Sequence, residues 1–218
     1  MTRLAVFDCD GTLVDSQHEI CAALAQAFAA QGLAAPSRTA MLGIVGLSVP
    51  EAMAALHPAG DAALHGRLAE SYRSAFHALR ADGQVCEPLY DGVADVLAAL
   101  IARGWLLGIA TGKSDRGLGL CLDRHRLAHR FVTLQTADRH PSKPHPAMLR
   151  QAMAEAGADP ADTVMIGDTG WDMAMAKAAG ATAIGVTWGY HDHAALRDAG
   201  ADHIADTPEA LLQVLDAR

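Results

Sequence analysis

The chain has 218 residues and a mass of 22.8 kDa, enough for one ordinary domain with a sizeable insertion or for two small domains. Apolar residues make up 51% and charged residues 19%, a composition that packs and that excludes intrinsic disorder. With 17 basic residues against 25 acidic ones the formal charge is −8, which argues against a nucleic-acid partner or an anionic membrane surface.

The cysteines Cys9, Cys21, Cys86 and Cys121 are far apart with no CxxC pair. They offer neither a zinc site nor a disulfide framework and suit a reducing compartment. The most apolar stretch, 93–110, is interrupted by Asp95 and Arg103 and does not read as a membrane span. The opening MTRLAVFDCDG meets an acid after a short apolar run, so it does not read as a signal peptide. A cytoplasmic protein is the expectation.

In chain order, 4–7 (LAVF) is a short continuous apolar run that stops at acids and Gly11, the pattern of a strand buried on both faces of a parallel sheet. Residues 15–85 then show helical patterns at 20–31, 50–56 and 61–80 and no good strand. Pro88 and the Asp91-Gly92 turn mark the return. From there strand-like runs at 106–110, 131–136, 163–167 and 183–186 alternate with helical patterns at 92–103, 114–126, 146–157 and 170–180. Gly157 and Gly180 fall where helix C-caps belong, and short helices are expected from His193 on. Strands alternating with helices predict right-handed βαβ units, hence an α/β fold with an open, parallel, Rossmann-like sheet and helices on both faces. The expected organisation is a core of 1–14 plus 86–218 with a helical insertion at 15–85.

Four short segments carry chemistry. Asp8-Cys9-Asp10-Gly11-Thr12-Leu13 follows the first strand, where alternation sends Asp8 and Asp10 to one side and Cys9 to the other. Acids at the carboxyl end of a central strand stand where open α/β sheets bind ligands, and like charges there need a cation or proton. A carboxylate is already ionised at neutral pH and needs no base to act as a nucleophile. A second one can protonate a leaving alkoxide and then deprotonate water. Thr111-Gly112-Lys113-Ser114 leads from a strand into a helix, where free N–H groups and the Thr111 hydroxyl suit an anion and Gly112 allows close approach. It is not a nucleotide P-loop, because Leu107 stands where the first glycine is required. Lys143, one of three lysines with Lys113 and Lys177, is fixed between turn formers ahead of a helix. Gly167-Asp168-Thr169-Gly170-Trp171-Asp172 follows the fourth strand, where Asp168 is a candidate Mg²⁺ ligand and also a candidate helix N-cap. His191 and His193 have no third ligand nearby and are not read as a metal pair, while Trp171 and Trp188 read as packing.

Taken together, these four segments resemble the motifs of the haloacid dehalogenase-like (HAD) superfamily, in its phosphatase branch. The resemblance implies a sheet order of 5-4-1-2-3 and, from the place and length of the insertion, a four-helix cap with hinges at 13–16 and 85–91. It implies Asp8 as a nucleophile that becomes an aspartyl-phosphate and Asp10 as general acid/base. Thr111 and Lys143 would hold the phosphate, with Gly11 and Gly112 beside them and Lys113 as a helper. Mg²⁺ would be held by Asp8, Asp10 (through its backbone carbonyl) and Asp168. Asp172 would support, either through water or by a bond to Lys143. Against the charge of −8, an anionic substrate needs the metal, Lys143 and Lys113 or Arg116 to reverse the local field.

The cap residues Gly46, Ser48, Arg73 and His18 are candidates for touching substrate. The insertion lacks lysine, which speaks against a phosphonate-cleaving relative, and Asp10 speaks against a dehalogenase. Tyr90-Asp91-Gly92-Val93 is similar to the phosphoglycolate phosphatase group. The implied function is a Mg²⁺-dependent phosphomonoesterase on a small phosphorylated metabolite, from a monomer or homodimer. The alternatives are a phospho-accepting receiver module or a sugar-phosphate mutase.

Overall fold

The computed structural model describes residues 2–217. The strands β1 (Leu4–Phe7), β2 (Leu106–Thr111), β3 (Thr133–Thr136), β4 (Thr163–Gly167), β5 (Thr182–Val186) and β6 (His203–Ala205) form one sheet. Every pairing is parallel and the order is β3-β2-β1-β4-β5-β6. Read from the other edge, the first five strands stand as 5-4-1-2-3, and β6 is added outside β5. The sixth strand is absent from the sequence expectation, which had only helices after His193. At three residues, with exposed His203 at its start, it carries too little pattern to register as a strand.

The insertion holds α1 (Gln17–Ala30), α2 (Arg38–Gly43), α3 (Val49–Leu56) and α4 (Ala62–Ala81). Of these, α2 lay outside the three expected helical stretches. It is six residues long with Met41 as its one buried residue, so no apolar periodicity announces it. Ile20, Leu24, Phe28, Met53 and Leu68 form a separate apolar cluster under these helices. The insertion therefore has its own core, distinct from those against the sheet.

The remaining helices are α5 (Val93–Ala102), α6 (Asp115–His125), α7 (Ala147–Ala156), α8 (Gly170–Ala179), α9 (His193–Asp198) and α10 (Pro208–Asp216). Alternation along β1 explains why both faces of the sheet are covered. Ala5 and Phe7 pack with α5, α6 and α10, whereas Leu4 and Val6 pack with α7, α8 and α9. All four are at most 2% exposed, and full burial of a Leu, Val or Phe side chain is worth about 1.5–3 kcal/mol. Gly157 and Gly180 end α7 and α8 in the left-handed conformation, as their positions predicted.

The two linkers between sheet and insertion lie against each other. Val14 and Leu89 form an antiparallel bridge. The Asp15 N–H donates to Pro88 O at 2.8 Å and the Tyr90 N–H to Leu13 O at 3.1 Å. Both ends of the insertion thus emerge together, directly beyond the carboxyl end of β1.

Candidate active site

β1 delivers the first carboxylate. The Asp8 N–H extends the sheet by donating to Ile166 O of β4 at 2.9 Å, which fixes the residue before the chain turns. Its Oδ1 accepts from the Cys9 N–H at 2.6 Å and from Lys143 Nζ at 2.9 Å. Its Oδ2 is buried and has no hydrogen-bond partner. Cys9 points the other way and packs among apolar residues, its Sγ 3.9 Å from that of Cys121.

The turn that follows requires glycine. Gly11 has φ +82°, and a Cβ there would overlap the Asp168 carboxylate. Thr12 then donates its hydroxyl to Asp168 Oδ1 at 2.8 Å, and the Tyr190 N–H donates to Asp168 Oδ2 at 2.9 Å. Asp172 is held by the start of α8: the Thr169 hydroxyl reaches its Oδ2 at 2.7 Å and the Thr169 N–H at 3.2 Å, in a capping box. Its other oxygen accepts from Lys143 Nζ at 2.6 Å. Lys143 therefore bridges Asp8 and Asp172 with its side chain wholly out of water, and of the two arrangements foreseen for Asp172 the structure shows the bond to lysine.

Asp8, Asp168 and Asp172 each offer an oxygen within 4.8 Å of the others. Electrostatics makes this cluster expensive as it stands. Burial, opposed by Lys143 and reinforced by Asp172 and Asp10, pushes the Asp8 carboxyl up to about 7. Burial, then Asp8 and Asp172, hold Asp168 well above the ordinary carboxylate range. Burial alone would lower the Lys143 ammonium, but Asp172 and Asp8 outweigh it and raise its pKa. One ammonium among three buried acids leaves negative charge uncompensated. Hard carboxylate oxygens from three acids and excess negative charge are what a small divalent cation needs. The donor set fits one.

Asp10 faces elsewhere. Its Oδ1 accepts from Lys113 Nζ at 2.8 Å and from the Ser16 hydroxyl. Lys113 also donates to Glu87 Oε1 at 2.6 Å, and Arg80 of α4 donates to Glu87 Oε2 at 2.9 Å. A chain of alternating charges thus runs from the insertion, through its return linker, to Asp10. Glu87 is fully buried and has φ +42°, yet nothing in its surroundings in the sequence marks it. Its burial, Lys113 and Arg80 compete, and the two cations hold its carboxyl below the ordinary value. Tyr190, also unmarked in the sequence, accepts from the Ser16 N–H at 3.0 Å through its hydroxyl oxygen.

Thr111 closes β2 and is buried; its Oγ1 accepts from the Lys113 N–H at 3.3 Å. Gly112 allows the insertion to come down on the core. A Cβ at this position would stand 2.6 Å from Leu47 O and 2.7 Å from Gly46 O, closer than real Cβ atoms approach. Gly46 in turn covers Asp8, since a Cβ on it would lie 3.9 Å from Asp8 Oδ2. The Ser48 N–H donates to Ser142 Oγ at 2.8 Å, and Trp171 Nε1 donates to Gly43 O at 3.1 Å, tying the same loop to the segments that carry Lys143 and Asp172.

Of the four residues expected to touch substrate, Gly46 lies over Asp8, and Ser48 and Arg73 line a cavity of about 710 Å³ beside Asp10. His18 is exposed and lines no part of it. His191 accepts from the Gly170 N–H at 3.2 Å and approaches Gly43 O at 3.3 Å, which occupies it as a brace between loops. Trp188 donates to Thr12 O at 3.1 Å. Among the described residues no helix is long and apolar enough to cross a membrane.

Comparison with known proteins places this geometry. The model of the haloacid dehalogenase-like hydrolase family matches residues 2–180. A protein of Dickeya dadantii (strain 3937) named "Probable phosphatase IndB" is 36% identical over 214 residues, covering 95% of this chain and 90% of that one. A phosphoglycolate phosphatase of Pseudomonas putida is 32% identical over 196 residues, covering 88% of this chain and 71% of that one. A crystal structure of a predicted phosphatase from Clostridium acetobutylicum superposes with a TM-score of 0.90 over the whole of both chains. At 24% identity it speaks for the fold alone.

Proposed function

The chain belongs to the haloacid dehalogenase-like hydrolase family, and from that premise we propose that it is a Mg²⁺-dependent phosphomonoesterase acting on a small phosphorylated metabolite through Asp8. The observation that carries the reading is the pair of states within one carboxylate: Asp8 Oδ1 is pinned by Lys143 and the Cys9 N–H, while Oδ2 is buried and free. A pinned carboxylate with one free oxygen is oriented for attack and needs no base to ionise it once its surroundings are neutralised. The relatives named phosphatases, among them the phosphoglycolate phosphatase of Pseudomonas putida, support the same reaction class.

In this reading Asp8 Oδ2 attacks phosphorus, the bond to the ester oxygen breaks, and Asp10 gives its proton to the departing alkoxide. Asp10 then takes a proton from the water that attacks the aspartyl-phosphate, releasing inorganic phosphate and restoring Asp8. Lys143 and Thr111, with Gly11 and Gly112, hold the phosphoryl oxygens, and Lys113 and Ser16 keep the Asp10 carboxyl in place. Asp8, Asp168 and the Asp10 backbone carbonyl would hold Mg²⁺, with Asp172 in support. The chemistry it supplies when bound is charge compensation at the carboxylates and at the transferring group. Residues 15–85 act as a cap on the core of 1–14 plus 86–218, excluding water during the first transfer. A cap over the acceptor leaves no role for the receiver alternative.

Asp8→Asn tests the reading with p-nitrophenyl phosphate as substrate. Turnover falls by about 10⁴-fold or more while near-ultraviolet circular dichroism is unchanged; retained turnover rejects the mechanism. EDTA abolishes activity and Mg²⁺ restores it. Addition of Mg²⁺ to the metal-free protein near pH 6 also releases protons. Without a cation Asp8, pushed up to about 7, is mostly protonated there, and the metal requires the carboxylate.

A further inference from the structure

The cavity beside Asp10 says what leaves. If Asp10 protonates the departing oxygen, the leaving group must extend from that carboxyl into the space in contact with it. That space is the 710 Å³ cavity between cap and core, which Asp10, Lys113 and Gly112 also line. A glycolate leaving group, with two carbons, would occupy a small part of it; cavities of about 300–1,000 Å³ enclose far larger ligands. Much of the wall is apolar: Leu24, Val45, Met53 and Phe76 come from the cap, and Leu120 comes from α6 of the core. Leu120 is 39% exposed, one of few large apolar side chains left open, and a ligand in the cavity would cover it.

The charges on the wall are unevenly committed. Lys113 and Arg80 are engaged by Asp10 and Glu87. The acids Glu51 and Asp138 accept from the Ser48 hydroxyl and the Asp115 N–H. Arg116, on the core side, has no ion-pair partner among the described residues, and Arg73, on the cap side, has only the exposed Glu70 at 3.5 Å. Two guanidinium groups on one cavity, one from each side and neither paired with an acid of the wall, leave positive charge there for a second anion to meet.

We infer that the substrate, within the phosphatase reading on which this rests, is a phosphomonoester whose leaving group has an apolar or aromatic body. At its far end it carries an anionic group, read by Arg73 and Arg116. Phosphoglycolate is then a poor substrate despite the names of the relatives.

Three esters that all depart as primary alkoxides test this: 4-carboxybenzyl phosphate, benzyl phosphate and phosphoglycolate, assayed with Mg²⁺ on the full chain and on the double variant Arg73→Ala/Arg116→Ala. The expected kcat/KM for the carboxybenzyl ester exceeds that for phosphoglycolate by about tenfold or more, and the double variant lowers the carboxybenzyl-to-benzyl ratio by about tenfold, the worth of a charge-assisted hydrogen bond. Calorimetry with the free alcohol, 4-(hydroxymethyl)benzoate, shows binding that the double variant weakens. A smaller margin over phosphoglycolate overturns the inference. So does an equal loss on all three esters in the double variant, which would mean that the arginines steer the phosphoryl group. Failure of the two readings is distinguishable. Binding of the alcohol with no cleavage of any ester rejects the phosphatase reading, whereas cleavage that favours phosphoglycolate rejects this inference alone.

Discussion

Around Asp8 the groups are buried, paired and close, whereas a few residues further along the same loop the protein leaves a large cavity with exposed, lightly engaged arginines. The first region is assembled by the sheet. Asp8 leaves β1 and Asp168 follows β4, so the register of these two strands brings them side by side, while Asp172 from the start of α8 and Lys143 from the loop before α7 complete the cluster. The second region is shared between α4 and the 44–53 segment of the insertion and the start of α6. A phosphoryl group is the same in every ester, so its site can be fixed in advance, and a preorganised polar site is where electrostatic stabilisation is greatest. Leaving groups differ, and the wall that meets them is carried largely by helices and a loop of the insertion rather than by the sheet.

This contrast predicts how damage should scale. Lys143→Ala strikes the fixed region and leaves Asp8 and Asp172 buried without their cation. The loss in kcat should reach about 10²–10³-fold, with stability lowered by about 3–5 kcal/mol in denaturant titration. A mild effect on both would mean that the cluster is wetter than its burial suggests.

Glu87→Gln acts at the joint between the regions, where Lys113 and Arg80 meet. Because Lys113 keeps Asp10 and Arg80 is partly exposed, the cost should lie near the low end for a broken buried pair, about 3 kcal/mol. The pH dependence has a definite sign. The Glu87 carboxyl is held below its ordinary 4.5, so its contribution is complete above that value and disappears as pH falls through the lowered native value. The variant should therefore lose less stability than the parent as pH falls from neutrality to below the ordinary 4.5, measured by chemical denaturation at each pH.

The smallest change tests whether the cap must come down. Gly112→Ala puts a methyl group against the carbonyls of Leu47 and Gly46 and should lower kcat/KM by about tenfold through imperfect closure. Thermal stability should move little, because the loop can lift away. An unchanged kcat/KM would separate closure from catalysis.

The first region was legible in the sequence and the second largely was not. Acids and a threonine directly after apolar runs announce both their strand and their end of the sheet, a lysine between turn formers stands out ahead of a helix, and the five-strand order implied by the family resemblance matches the sheet, with β6 added at the edge. Glu87 carried no such sign, because its importance comes from a buried position reached by a left-handed residue between Cys86 and Pro88, a matter of tertiary path. Tyr190 and Thr12 were missed for the same reason. They hold the loops that carry the acids, Thr12 through its hydroxyl and Tyr190 through its hydroxyl and its N–H. Arg73 was noted as a cap candidate and Arg116 as a field contributor, but their shared cavity appears only when cap and core are packed together. His18, chosen with Arg73 from the same helical insertion, falls on an exposed turn of α1 away from that cavity.

The central claim is that Asp8 itself receives the phosphoryl group. Quenching the enzyme with acid during steady-state turnover, reducing with borohydride and sequencing the N-terminal peptide by mass spectrometry tests it directly, since borohydride converts an acyl phosphate, and not a free carboxylate, into an alcohol. The account predicts homoserine at position 8. Aspartate alone at that position, in samples taken while phosphate is being released, would contradict it.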